Sequence, residues 1–591
     1  MASTLPCVRV GSWRVWARHR LEWVTAVLAA VLGVVYLLLP PMGSDLAAQQ
    51  ARAGFFEAHG YTPTDLRWYA GVDQLGYSLT SQPVMALLGV RVTGALSLLA
   101  ASVLFALLLR RTGAPRPLLG AVAGTLCIAG NLVSGRVTYG LGVCLGLAAL
   151  LALTSARRRW LPPLLALLAA ATSPVAALFV GLAGVALALS PRRPPRLAPD
   201  RVRAGLLVAV PAALPLALNA LLFGDGGWMN ISRTDTVRAV VAALVVAALV
   251  PRRPVRVGGV LAALGVLAAA LIHTPVGLNA TRLAVMFTLP LLAAYATLPR
   301  FSRTPAATSA APTASTAQPP ARPNPQPPSR QSDAQPPSRG SDAQPPSRSR
   351  ARPSTSRLSY RPLPTWAVVV LLAVACWWQP PVVTGDVRDI GNPTADAAYF
   401  RPLLDRLAQE QLTGRVEIPA TRAYWEAAHM GDVPLARGWL RQADIDRNPL
   451  FFNEIPGATG TGVPLSAGTY RLWLEELAVQ FVAVPDAELT WSGRPEAALV
   501  TAGLPYLTEV WTSPHWRLYA VTDPRPIVAA PGTLTSQDAA SLTFEAPAAG
   551  DIPVRIRWNR WLTVSAGATL HRDGDWLLVR VPGPGRYTVS S

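Results

Sequence analysis

The 591-residue chain contains no lysine, and all 53 of its basic residues are arginine. Charge of either sign is scarce, at 15% against 51% hydrophobic residues and a mean hydropathy of +0.31. That balance excludes an ordinary soluble enzyme. Cysteine is nearly absent. Cys7 lies in the basic N-terminal stretch, and Cys127, Cys144 and Cys376 lie in apolar runs. Residues 385–591 have none, which excludes a disulfide framework or a Cys-based metal site there. His59 and His273 have no second His or Cys at metal spacing and read as interfacial polar residues. No basic stripe interleaved with aromatics accompanies the net charge of +20, so nucleic acid is not an expected partner.

What the chain does have is apolar runs long enough to cross the ~30 Å of a bilayer's hydrocarbon. Spans are read at 21–39, 92–109, 117–133, 137–153, 204–222, 239–250, 257–272, 283–298 and 364–378. The stretch 160–189 is too long for one span and is interrupted by Thr172-Ser173-Pro174, where proline removes a backbone donor. It reads as a short helical hairpin with both ends on one side. The count is about eleven membrane segments. The expected fold is a polytopic α-helical membrane protein with a C-terminal extracytoplasmic α/β plus β-sandwich domain.

Positive charge marks cytoplasmic loops, so arginine alone sets the orientation. Arg14, Arg18 and Arg20 precede the first span, Arg110 and Arg111 follow the second, and Arg157, Arg158 and Arg159 follow the fourth. Arg192, Arg193 and Arg196 follow the hairpin, and Arg252, Arg253 and Arg256 follow the 239–250 span. Residues 1–20 are then a cytoplasmic basic tail, and the first span, lacking a clear cleavage site, an uncleaved anchor in the plasma membrane. The loop 40–91, the Gly135-Arg136 turn, the 224–238 loop and the 273–282 turn are expected outside. Segment 300–362 repeats QPPSRQSDA, QPPSRGSDA and QPPSRSRA from Gln326, Gln335 and Gln344. It has too little apolar content to bury a core and is expected to be a disordered cytoplasmic tether.

After the last membrane segment, 363–380, composition changes. Residues 385–515 mix helical spacing at 395–409 and 470–478 with strand patterns at 415–418 and 481–484, as an α/β lobe would. From 516 the texture is all-β, with strands at 516–521, 554–558, 562–564 and 576–581 and a turn at His571-Arg572-Asp573-Gly574. Such a β-sandwich-like lobe suits either binding a glycan or covering the outer face.

The first outer loop holds the most chemistry. Asp45 follows the first span directly, where a carboxylate needs a partner, a role or solvent. Leu46, Gln50, Ala53 and Phe56 fall near one helical face, so an amphipathic helix on the membrane surface is expected, with Asp45 at its positive end. Arg52, Glu57, Asp65, Arg67, Trp68, Tyr69, Asp73 and Tyr77 supply ionic and aromatic groups suited to a sugar. Blander roles exist for the same residues. Asp45 is well placed as a helix N-cap, and Arg136 and Arg282 could snorkel to headgroups. Gly135, Gly140 and Gly142 suit helix packing. Asp444-Ile445-Asp446-Arg447-Asn448 is similar to the start of a calcium loop, but Pro449 and Ile455 replace its glycine and distal glutamate, so a solvated turn is expected.

An outer loop opening on an acidic residue, then a surface helix, further membrane segments and a C-terminal outer domain, resembles the GT-C class of polyprenyl-phosphate-sugar glycosyltransferases. The strings SDLAAQQARAGFF, DLRWYAG, SGRVTYGLG, TSPVAALF, FGDGGW, GLNATRLAVMF and GWLRQADIDRNPLFF are similar to multi-span membrane proteins of actinobacteria, classed either as glycosyltransferase-like or as major-facilitator transporters. The GT-C resemblance implies Asp45 as the catalytic base, accepting the proton of an attacking hydroxyl. It implies a cation for the lipid phosphate that leaves, Arg282 first and Arg136 second. Arg52, Glu57, Asp65, Arg67, Trp68, Tyr69 and Asp73 would bind substrate. The implied partners are membrane lipid, a lipid-linked sugar and an envelope glycan acceptor. A divalent metal ion is a candidate cofactor, although the adjacent acidic pair of better-known members is missing beside Asp45. The main alternative is a secondary transporter, which would place ionisable residues near the bilayer midplane and repeat one half in the other. Here Asn131 and Asn219 are the notable polar residues of the span interiors, and no internal repeat is found. A third reading is a non-catalytic membrane glycan-binding protein.

Overall fold

The computed structural model describes residues 10–155, 158–190, 201–224, 227–302 and 357–591. Most of the expected linker 300–362 and the basic stretch 191–200 lie outside these residues. Leu298–Arg361 is a unit of its own, in which the strands β3 (Thr297–Ser302) and β4 (Arg357–Pro362) pair.

The other unit begins with helices that follow the apolar runs: α1 (Val10–Leu38), α4 (Val90–Arg111), α5 (Pro117–Val133), α6 (Val137–Ala152), α7 (Leu161–Thr172), α8 (Pro174–Ala188), α9 (Arg201–Leu222), α10 (Arg233–Leu249), α11 (Arg253–Leu271), α12 (Arg282–Tyr295) and α13 (Thr365–Trp378). Five stretches, Arg20–Leu38, Val90–Arg111, Arg201–Leu222, Arg253–Leu271 and Gly277–Tyr295, are long and apolar enough to cross a membrane by length and composition. Proline and small polar residues set the boundaries. Pro117 opens α5, where its missing N–H is no loss. The α7/α8 break falls at Ser173, whose side chain accepts the Ala176 amide at 3.3 Å and so caps α8. The α10 helix starts six residues before the expected span because Ser232 caps it through the Asp235 amide at 3.0 Å. Small residues let the backbones approach. A Cβ on Gly184 would stand 2.7 Å from the Gly205 carbonyl oxygen, and one on Gly142 would stand 2.7 Å from the Ala176 Cβ.

The two ends of the bundle differ. At one end Arg110 pairs with Glu22, and Arg252 donates to the Thr112 and Gly113 carbonyls at 2.9 Å. At the other end the polypeptide folds into α2 (Leu46–His59), the short strand pair β1 (Thr64–Asp65) and β2 (Val72–Asp73), and α3 (Ser81–Leu88). The expectation that α2 lies on a bare membrane surface is corrected here. Leu46, Ala47, Ala48, Gln49, Ala51, Arg52, Ala53 and Phe55 are all buried, around more than one face, because the C-terminal domain covers the helix.

That domain has a first sheet of order β5-β6-β8-β7, from Arg415–Glu417 (β5), Val479–Pro485 (β6), Leu507–Thr512 (β7) and Trp516–Val521 (β8), with β5 and β6 parallel. The boundary expected at 516 therefore moves: β8 pairs with β6 from Phe481↔Ala520 to Pro485↔Trp516 and belongs to the first lobe. Two further sheets follow. One is ordered β12-β15-β10-β9 and the other β11-β14-β13, from β9 (Thr533–Gln537), β10 (Ser541–Ala546), β11 (Gly550–Arg557), β12 (Thr563–Val564), β13 (Thr569–Asp573), β14 (Trp576–Val581) and β15 (Gly585–Ser590). Leu542, Phe544 and Val589 from one sheet share a core with Ile552, Val554 and Val579 from the other. Period-two burial along β11 and β14 points alternate residues into that core.

Candidate active site

Two glycine turns meet where α1 ends and α5 passes into α6. Gly43 has φ +104°, and a Cβ there would stand 2.3 Å from the Val133 carbonyl oxygen. Gly135 has φ +74°, and a Cβ there would stand 2.5 Å from the Leu46 nitrogen. Only glycine fits both constraints at either position. The contact is closed by the Asp45 amide, which donates to the Ser134 carbonyl at 3.1 Å.

Asp45 occupies the N-cap position of α2, but its side chain makes no capping hydrogen bond. Instead Oδ2 accepts from Arg136 Nε at 3.2 Å and from Arg282 Nη2 at 3.1 Å. The pure capping role is therefore excluded by geometry. The Arg282 guanidinium also lies 5.5 Å from the centre of the Tyr139 ring, a cation–π distance. Thr138 donates to Gln49 Oε1 at 2.6 Å, and Gln49 Nε2 donates to the Tyr77 hydroxyl at 2.7 Å. Burial, and then the Asp45 carboxylate, push the Tyr77 phenol up, so it stays protonated.

These groups line a cavity of about 1020 Å³. Its lining is mostly apolar, with Leu178, Leu216 and Val285 from the helices, and polar groups are set among these, with Asn219 and Arg238 from the helices and Trp439 and Arg441 from the C-terminal domain. A void of that size, largely apolar with a few polar groups, suits an amphiphilic ligand.

Of the residues singled out from sequence, Asp45, Arg52, Asp73, Tyr77, Arg136, Asn219 and Arg282 line the cavity. Arg52 donates from Nη1 to Gln74 Oε1 at 2.9 Å and lies over the Tyr77 ring at 4.2 Å. Asp73 accepts from Asn559 at 2.5 Å. Glu57, Asp65, Arg67, Trp68 and Tyr69 do not line it, which corrects the substrate-binding expectation for them. Glu57 is exposed on the far side of α2. Asp65 is fully buried, takes Arg67 Nη2 at 2.7 Å and Gln74 Nε2 at 2.6 Å, and pins the loop. Trp68 packs so tightly on Gly438 that a Cβ there would stand 2.6 Å from its ring, and the Tyr69 hydroxyl donates to the Gly438 carbonyl. Among the described residues no group of three or more His, Cys, Asp or Glu stands together as a metal site would require.

Sequence reasoning missed Trp439 and Arg441, although both lie in the GWLRQADIDRNPLFF string. Trp439 Nε1 donates to the Ser44 carbonyl at 2.9 Å, and its ring meets Tyr77 edge to face. Just behind them, the solvated turn expected at 444–448 proves wrong. Asp444 is buried and accepts two hydrogen bonds from Arg437, at 3.0 and 2.9 Å. The same guanidinium reaches Glu496 Oε2 at 3.0 Å and Glu417 Oε1 at 3.6 Å. One cation thus serves three buried carboxylates. Burial, reinforced by Glu496, holds the Glu417 carboxyl well above its usual range, and burial raises Glu496 to about 7.

No family model matches the chain, and no curated protein sequence matches it. Among solved structures, the arabinofuranosyltransferase AftD from mycobacteria superposes with a TM-score of 0.43 at 16% identity, over 89% of this chain and 40% of that one. A mutant form of the same enzyme gives 0.45 at 17% identity, over 87% and 42%. The chain spans less than half the length of that enzyme. Scores of this size do not carry a residue's role from one chain to the other.

Proposed function

We propose that this chain is a glycosyltransferase of the plasma membrane with about eleven membrane segments, a cytoplasmic N-terminus and an extracytoplasmic C-terminal domain. It transfers a sugar from a polyprenyl-phosphate donor to an envelope glycan at the outer face. The observation that carries this reading is one carboxylate oxygen, Asp45 Oδ2, held between Arg136 and Arg282 in a largely apolar cavity of about 1020 Å³.

An acceptor hydroxyl attacks the anomeric carbon, the bond from that carbon to the phosphate oxygen breaks, and the hydroxyl proton passes to Asp45. Arg282 and Arg136 receive the negative charge on the departing lipid phosphate. An arriving phosphodiester competes for both guanidinium groups and releases the Asp45 carboxylate oxygen they hold as the donor is seated. The apolar lining, with Leu178 and Leu216, takes the prenyl chain, and Trp439 and Arg441 of the C-terminal domain meet the acceptor. All the cavity's charged groups stand at helix ends or in the loops and domain beyond them, unlike the midplane charges of a transporter.

The test uses the full chain in lipid nanodiscs with polyprenyl-phosphoryl sugars and envelope glycan. Asp45→Asn should lower turnover by at least about 100-fold while thermal unfolding is unchanged. Arg282→Ala should raise the donor KM as well. Turnover by Asp45→Asn at the wild-type rate would sink the assignment of the base.

A further inference from the structure

The segment that follows α13 lies beside the meeting point of the two glycine turns. A Cβ on Gly130, near the end of α5, would stand 2.1 Å from the Pro381 carbonyl oxygen, so this glycine lets the segment lie directly on the helix. Beyond it the short helix Thr384–Arg388 carries Asp386, and Asp389 follows; both are almost fully buried. Asp386 Oδ1 accepts the Ser44 amide at 3.1 Å, and its Oδ2 accepts the Ser134 hydroxyl at 2.5 Å. Asp389 Oδ2 accepts the Gly43 amide at 3.2 Å, and its Oδ1 accepts Asn392 Nδ2 at 2.8 Å. Neither carboxylate lies within ion-pair distance of a cation among the described residues. Burying such groups is costly unless their donors are well placed, and three of these four donors, the Gly43 and Ser44 amides and the Ser134 hydroxyl, belong to the two turns that carry Asp45 and Arg136.

We infer that Asp386 is a positioning residue for the candidate site: its two carboxylate oxygens tie the residue before Asp45 to the turn before Arg136 and set the approach of base and cation. This deepens the proposed function and rests on it for the word "base". The clamp itself rests only on the geometry. Without Asp386 the turns keep the hydrogen bond from the Asp45 amide to Ser134 but lose the shared anchor. The Asp45 carboxylate can then drift relative to Arg136 and Arg282. A drift of about 1 Å is enough to slow a reaction by roughly 100-fold.

The experiment compares wild type, Asp386→Ala, Asp386→Asn and Ser134→Ala, each as the full chain in lipid nanodiscs, by two readouts. The first is hydrogen exchange of peptides spanning 40–50 and 130–140. The expected result for Asp386→Ala is about tenfold faster exchange in both peptides with the rest of the chain unchanged. Asp386→Asn retains an acceptor for the Ser44 amide and should restore protection, and Ser134→Ala should loosen the peptides less than Asp386→Ala does. The second readout is sugar transfer from a polyprenyl-phosphoryl donor. There kcat should fall roughly 100-fold for Asp386→Ala, donor KM should change less than about threefold, and Asp386→Asn should recover most of the rate. Unchanged exchange in Asp386→Ala and Ser134→Ala overturns the inference. So does faster exchange across the whole domain, or a lost kcat that Asp386→Asn does not recover. If the wild type transfers no sugar, the proposed function fails, and the exchange readout still decides the clamp.

Discussion

Arg437 is ringed by three buried carboxylates, and its surroundings make a pH prediction. Glu496 is raised to about 7 in the folded chain against 4.5 for a free glutamate. The folded state therefore binds more protons than the unfolded state between those values. Stability should fall as pH rises through that window, and Glu417, held well above its usual range by burial and by Glu496, extends the fall to higher pH. Glu496→Gln keeps an acceptor for Arg437 without the titrating proton. It should flatten the decline of the unfolding midpoint between pH 4.5 and 7 and leave the variant the more stable form above pH 7. Thermal scans of the full chain across pH 4.5 to 8.5 check this, and a slope unchanged by the substitution would contradict it.

At the level of the turns and helices, close approach makes a sharper claim than propensity. Gly135→Ala meets both a positive φ and a backbone nitrogen 2.5 Å away, so it should push α2 off the bundle, at about 1–3 kcal/mol, and misplace Arg136. Gly54, in the middle of α2, has nothing within 4 Å of an added Cβ, and Gly54→Ala should be neutral or stabilising by up to about 1 kcal/mol. Thermal unfolding of the two variants side by side is the check. The same elements show what could be read in advance. Apolar run lengths and the Thr172-Ser173-Pro174 break placed the helices, because those signals are local. Asp45, Arg136 and Arg282 could be picked out because each stands at the end of an apolar run. Helical periodicity identified α2, but its burial was not legible: the cover comes from residues far along the chain. For the same reason Asp65, Arg67, Trp68 and Tyr69 looked like exposed sugar contacts and are instead the seam between loop and domain. Strands β7, β9, β10 and β15 lacked clear period-two patterns with turn signals on both sides and were missed, and β13 was missed because His571, Arg572 and Asp573, read as a turn, are its last three residues.

For the molecule as a whole, the arrangement predicts which residues a probe outside the cell can reach. In a cysteine-free background, Glu545→Cys, an exposed position on β10, should react with a membrane-impermeant maleimide on intact cells. Ser338→Cys, in the proline-rich repeat, should react only after permeabilisation. Labelling of both on intact cells would overturn the orientation read from arginine.

The seam has a consequence in time. The Tyr69 hydroxyl binds a carbonyl 369 residues further along the chain, and Asp73 binds Asn559, 486 residues away. A ribosome finishes α2 and its loop long before it makes either partner. During synthesis Trp68 and Tyr69 therefore wait uncovered, and the cavity gains Trp439 and Arg441 only after the C-terminal domain has been made and has settled. A cell thus acquires the completed site late, and a chain stalled before Trp439 would present the membrane half of the pocket with nothing to close it.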